Sequence, residues 1–150
     1  MIRANTLGYG GKTLTKQIKV HTKGDSANNI LLLNISANVE RIATITPNVV
    51  HLMGTPEETI EKVVTIVPSE KYDFSIINNP FPPLKNIDLL LKKSGSGGKG
   101  WELLVTNKRK GVGRYYEVIV LKTDSVFQPE LTVRVFGNVQ PKGAQPLMTP

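Results

Sequence analysis

Apolar and polar residues alternate along most of this chain, the period-two signature of strands that bury one face. From Lys16 to Thr22, Ile18 and Val20 share one face and Lys19 and His21 the other. After a polar turn at Lys23 to Asn29 the alternation runs longer: Leu31, Leu33, Ile35, Ala37 and Val39 point one way, Leu32, Asn34, Ser36 and Asn38 the other. The pattern predicts a hairpin with one apolar face. Two strands bury too little to be stable alone in water, so this face is expected to be covered, either by packing on the rest of the chain or by exchange with a second copy.

Further strands are expected at Ala43 to Thr46 and Val49 to Met53, divided by Pro47 and Asn48. Two readings compete for Glu57 to Val67. Thr55 with Glu58 resembles a helix capping box, and Ile60, Val63, Val64 and Val67 fit a helical face. The density of β-branched residues from Thr59 to Val67 favours a strand, which is the reading adopted. Tyr72 to Ile77 reads as a strand with Phe74 and Ile76 inward, ended by the prolines of Asn78 to Pro83. Leu84 to Lys93 and Trp101 to Thr106 follow as a hairpin around the loop Ser94 to Gly100, and Tyr115 to Thr123 and Glu130 to Val139 as another. Seven or eight short strands and no clear helix point to an antiparallel β-sandwich of the immunoglobulin-like kind, with a barrel as the lesser alternative.

The last hairpin echoes the first. Ile119, Leu121 and Thr123 stand 101 positions after Ile18, Val20 and Thr22; Leu131, Val133, Val135, Asn138 and Val139 stand 100 positions after Leu31, Leu33, Ile35, Asn38 and Val39. A period of that size is a domain rather than a solenoid repeat. The expected organisation is the C-terminal part of an immunoglobulin-like unit at 1–39, a complete sandwich at 40–140 and a flexible tail at 141–150. On this reading roughly 60 residues of the first unit would lie upstream of Met1, and the short link at Glu40 to Arg41 would suit a semi-rigid rod.

Composition adds limits. A chain of 150 residues with 39% hydrophobic and 21% charged residues is ordinary for a globular protein. Cysteine is absent, which excludes disulfides, thiolate metal sites and cysteine nucleophiles. No apolar run approaches the roughly 20 residues of a helical membrane span. The net charge of +7 favours anionic partners.

No constellation in the sequence carries chemistry, and the protein is expected to be neither an enzyme nor dependent on a cofactor or metal. Gly95 to Gly100 tempts one towards a phosphate loop, but Lys93 stands where its first glycine belongs, Gly100 follows Lys99, and a strand comes next. His21 and His51 lie on strand faces without acidic neighbours at metal spacing. No Gly-x-Ser-x-Gly is present, and Asn34-Ile35-Ser36 matches a glycosylation sequon within a strand. Two basic clusters are the candidate binding residues: Lys92, Lys93 and Lys99 around one loop, and Lys108, Arg109, Lys110 and Arg114 around the next. The strand Trp101 to Thr106 should hold them about 20 Å apart. Few aromatics stand near either cluster to stack on bases, which argues against a dedicated nucleic-acid site in these turns.

Gly-Tyr-Gly-Gly-Lys at Gly8 to Lys12, a strand ending at Thr22, a polar turn and a long apolar strand closing at Asn38 and Val39 resemble the C-terminal half of bacterial DUF1573 domains. These belong to the ASH group (abnormal spindle, SPD-2, hydin) of immunoglobulin-like sandwiches, related in fold to PapD and major sperm protein domains. Gly111 to Val139 matches in the same way, whereas Glu40 to Lys110 matches in strand order more than in residues. A Cys-Gly-Cys motif typical of the family is missing from the complete unit. The resemblance implies a binding or scaffold module in the cell envelope or periplasm, with strand addition at a sheet edge as a mode of protein binding. The expected function is therefore protein binding or spacing, with a possible homodimer through the N-terminal hairpin; binding of nucleic acid or an anionic surface through the basic turns is the alternative.

Overall fold

A computed structural model describes residues 3–6, 8–21, 30–95 and 99–143. The expected turn at 23–29, the middle of the glycine loop at 96–98 and most of the expected tail lie outside the described residues. The chain divides into two compact units, Met1–Ile42 and Ala43–Pro150.

The first unit is the hairpin β1 (Lys12–His21) and β2 (Ile30–Val39), paired antiparallel without a bulge from Lys12↔Val39 to His21↔Ile30. The second unit contains β3 (Ala43–Thr46), β4 (Val49–Gly54), β5 (Glu61–Pro68), β6 (Ile87–Lys93), β7 (Trp101–Asn107), β8 (Gly113–Lys122) and β9 (Glu130–Val139). They form a four-stranded sheet ordered β3-β5-β7-β6 and a three-stranded sheet ordered β4-β9-β8. All described pairs are antiparallel except β4 with β9, which is parallel. A first strand shared between two sheets, its second part parallel to the last strand, gives an immunoglobulin-like β-sandwich. Pro47, just after β3, lacks the N–H that would continue the ladder.

Alternation decides the core. Val64, Ile66, Leu103, Val105 and Ile87 from the larger sheet meet Val50, Leu52, Ile119, Leu121, Leu131, Val133 and Val135 from the smaller one, each at most 3% exposed. Trp101 lies over Phe74, ring centroids 5.2 Å apart.

Three expectations need correction. Leu84 to Asn86 stand outside β6, which begins at Ile87, because Asn86 gives its backbone and side-chain N–H groups to the Glu117 carboxylate instead of a ladder. Glu57 to Ile60 is not strand: Thr55 N–H donates to Glu58 Oε2 at 2.7 Å and Glu58 N–H to the Thr55 carbonyl at 3.2 Å, so the capping-box residues close a turn with no helix behind them, and β5 begins at Glu61. Tyr72 to Ile77 is not a ladder strand either. It meets the chain at the end of β8 through one isolated bridge, Ile76↔Thr123, just past the strand, with Ile77 N–H to the Lys122 carbonyl at 2.9 Å. Asn78 continues the contact with its side chain, donating to the Val120 carbonyl and accepting from Lys122 N–H. Beyond it Pro80, Pro82 and Pro83 have no N–H to donate, and the pairing stops.

Candidate functional site

The hairpin of the first unit has the register of the last hairpin of the second. Lys12↔Val39 corresponds to Gly113↔Val139, Ile18↔Leu33 to Ile119↔Val133, and Val20↔Leu31 to Leu121↔Leu131. In the second unit Ile119, Leu121, Leu131 and Val133 are sealed in the core. Their counterparts behave differently: Leu31 is 53% and Leu33 38% exposed. The outward neighbours Ile30 and Leu32 are also about half exposed, so four consecutive large apolar residues stand open to solvent. This is a surface with the residue pattern of a sandwich core.

The basic turns stay separate. Lys93 pairs in register with Trp101 at one end of β7 and Ile87 with Asn107 at the other, so the two clusters flank opposite ends of that strand. Lys92 stands opposite Glu102 across the β6–β7 pair; Lys92, Lys93 and Lys99 are exposed. In the second cluster the side chains divide. Lys108 pairs with Asp88 at 3.2 Å. Arg109 Nε donates to the Gly111 carbonyl at 3.1 Å, bracing the turn it sits in. Asn107 joins this brace, giving Nδ2–H to the Arg109 carbonyl and accepting the Tyr115 hydroxyl at 2.7 Å. Lys110 and Arg114 point to solvent, and Arg114 lies on β8 rather than in the turn.

Tyr115 is held from beneath as well. Its ring lies directly on Gly137, where a Cβ would collide with it, so glycine there makes room for the ring inside the sheet. Burial raises the pKa of its hydroxyl above 10.0, and the Glu117 carboxylate adds to the rise while Arg109 opposes it. Glu117 itself accepts from both the backbone and side-chain nitrogens of Asn86.

Tyr116, Val118 and Val120 are exposed on the face of β8 away from the core, and no local pattern in the sequence shows what stands beside them. The outer face of β4-β9-β8 carries a row His51↔Phe136↔Tyr116 across all three strands. The Phe136 ring stacks on His51 at 5.6 Å and meets Tyr116 at 5.0 Å. Met53 is 67%, Tyr116 52% and Phe136 42% exposed. Beside His51 and Met53 an open depression of about 460 Å³ is lined by Glu58, Thr59, Ile60, Glu61 and Lys62. Among the described residues no three His, Asp or Glu side chains converge in a group able to hold a metal, and no helix is long and apolar enough to cross a membrane.

No family model matches the chain, and no curated protein matches it.

Proposed function

We propose that this protein is a non-catalytic β-sandwich module that binds protein through the apolar face of its β1–β2 hairpin, and that the occupant of that face is a second copy of the chain. The exposure of Leu31 and Leu33 at positions whose counterparts in β8–β9 are core carries the reading. Covering a half-exposed leucine recovers roughly 1 kcal/mol, and a two-fold contact recovers it on both partners. The charges favour such a contact. Ile18, Val20, Leu31 and Leu33 crowd the His21↔Ile30 end of the hairpin, where β1 connects to β2, while Lys12 and Lys16 sit towards the open end of the same face. Two hairpins apposed antiparallel over their leucines keep these lysines at opposite ends of the interface.

Kinship with the DUF1573 and ASH sandwiches belongs to the same proposal. The immunoglobulin-like strand order and the shared register of the two hairpins support it, and an envelope location would follow from it.

Light scattering over a concentration series tests the reading. The mass should rise towards that of a dimer, and the double substitution Leu31→Lys, Leu33→Lys should hold it at the monomer while leaving Trp101 emission unchanged. A wild-type chain that stays monomeric at every concentration removes the second copy as occupant.

A further inference from the structure

The outer face of β4-β9-β8 breaks the usual rule for a solvated sheet face, which presents polar side chains. Its middle is the aromatic row of His51, Phe136 and Tyr116, and its charged groups are arranged around that row. Arg114 precedes Tyr116 by two residues on β8, and Arg134 precedes Phe136 by two on β9. Residues two apart share a face and stand about 6.8 Å from each other along a strand. Because β8 and β9 are antiparallel, the two arginines fall on opposite sides of the row, Arg114 beside Asn138 and Met53, Arg134 beside Val118 and Val49. Lys122 lies further along the same face, opposite Glu130. Three cations thus accompany a single carboxylate on this face. Both arginines and Lys122 are exposed, and no ion pair among the described residues engages them.

Exposed rings bracketed by unpaired cations suit a ligand that is flat, apolar on its faces and anionic along its backbone. Single-stranded nucleic acid has this chemistry: every base has a π-face to stack on an aromatic side chain, and the phosphates seek the arginines. A duplex does not, since its bases are already stacked on each other. An acidic peptide would engage the arginines but has no use for a row of three rings. The acidic groups near the face, Glu58 and Glu61, lie beside β4, which favours a path for the strand along β8 and β9.

We propose that the outer face of β4-β9-β8 binds single-stranded nucleic acid, with bases stacked on Tyr116 and on Phe136 with His51, and phosphates contacted by Arg114 and Arg134. This site shares Arg114, which lies on β8, with the second basic cluster but uses none of the residues in the turns themselves.

Fluorescence anisotropy with labelled twelve-nucleotide oligo-dT and oligo-U, and with a duplex of the same length, tests the proposal on the full chain. Both single strands should bind more tightly than the duplex, and the ratio of the two tells DNA from RNA as the preferred source. Tyr116→Ala and Phe136→Ala should each weaken binding about fivefold or more, since one base stack is worth roughly 1–3 kcal/mol. Tyr116→Phe should bind within about twofold of wild type because the π-face remains. Arg134→Gln should weaken binding and lower the salt slope by roughly one. If Tyr116→Ala fails to fold, Tyr116→Leu keeps an apolar side chain without a stacking face and should show the same loss. The proposal is overturned if neither strand binds at low salt, if the duplex binds as well as the single strands, or if affinity survives Tyr116→Ala and falls instead with Lys92→Gln and Lys110→Gln.

Discussion

Tyr115 shows how one side chain organises the end of the sandwich. Its ring fills the space that Gly137 leaves, and its hydroxyl donates to Asn107, whose amide in turn holds the turn braced by Arg109. Tyr115→Phe keeps the ring and removes the bond, and should cost about 1 kcal/mol in a urea titration at neutral pH. The same residue links stability to alkali. Its pKa is raised in the fold, so between the unfolded and folded values the native state holds the extra proton, and stability falls as pH rises through that range. The alkaline loss of stability above about pH 10 should therefore be shallower in Tyr115→Phe than in wild type.

The two hairpins contrast at the level of elements. Leu103→Ala in β7 opens a cavity in a sealed core and should cost about 3 kcal/mol in the unfolding of the second unit. Leu33→Ala in β2 lies in the other unit and removes atoms that already meet solvent, and should leave that transition unchanged. The chain has one tryptophan, Trp101, buried beside Phe74, so its emission in a denaturant titration reports the second unit and reads both variants. Alternation of Leu31, Leu33 and Ile35, or of Leu131, Val133 and Val135, was enough to read both hairpins from sequence, because a strand with one buried face writes its parity into every second residue. Ile76 was harder. A segment that meets its neighbour through one bridge and an asparagine side chain has the apolar content of a strand without its ladder, and parity cannot tell the two apart. The aromatic row was beyond reach for a different reason. His51 and Phe136 meet through parallel pairing between residues distant in sequence, and no local pattern encodes which strand lies beside which.

For the whole molecule, the surfaces divide between apolar and cationic chemistry. The hairpin of the first unit offers an uncharged strip between Ile18 and Leu33, whereas the second unit offers rings set among arginines. The net charge of +7 is therefore a poor guide by itself: Lys108 and Arg109 are spent on Asp88 and on their own turn, and the charge free to meet a ligand stands elsewhere, in part on β8 and β9. Salt dependence should follow the arginines of the sheet face rather than the count of basic residues in the turns.

The parallel pairing of β4 with β9 bears on how the second unit carries load. β4 lies near its start and β9 at its end, and they run side by side from Val49↔Arg134 to Gly54↔Val139. Tension drawn through the two ends first meets β3, a four-residue strand. Once β3 has come away, the pull on β4 and β9 runs along the strands in opposite directions. Their ladder is then sheared as a whole, with every bond sharing the force, instead of being opened one bond at a time. In a single-molecule pulling experiment the second unit should resist as a clamp, and Val50→Pro, which removes an N–H from that ladder and burdens the core beside it, should lower the rupture force.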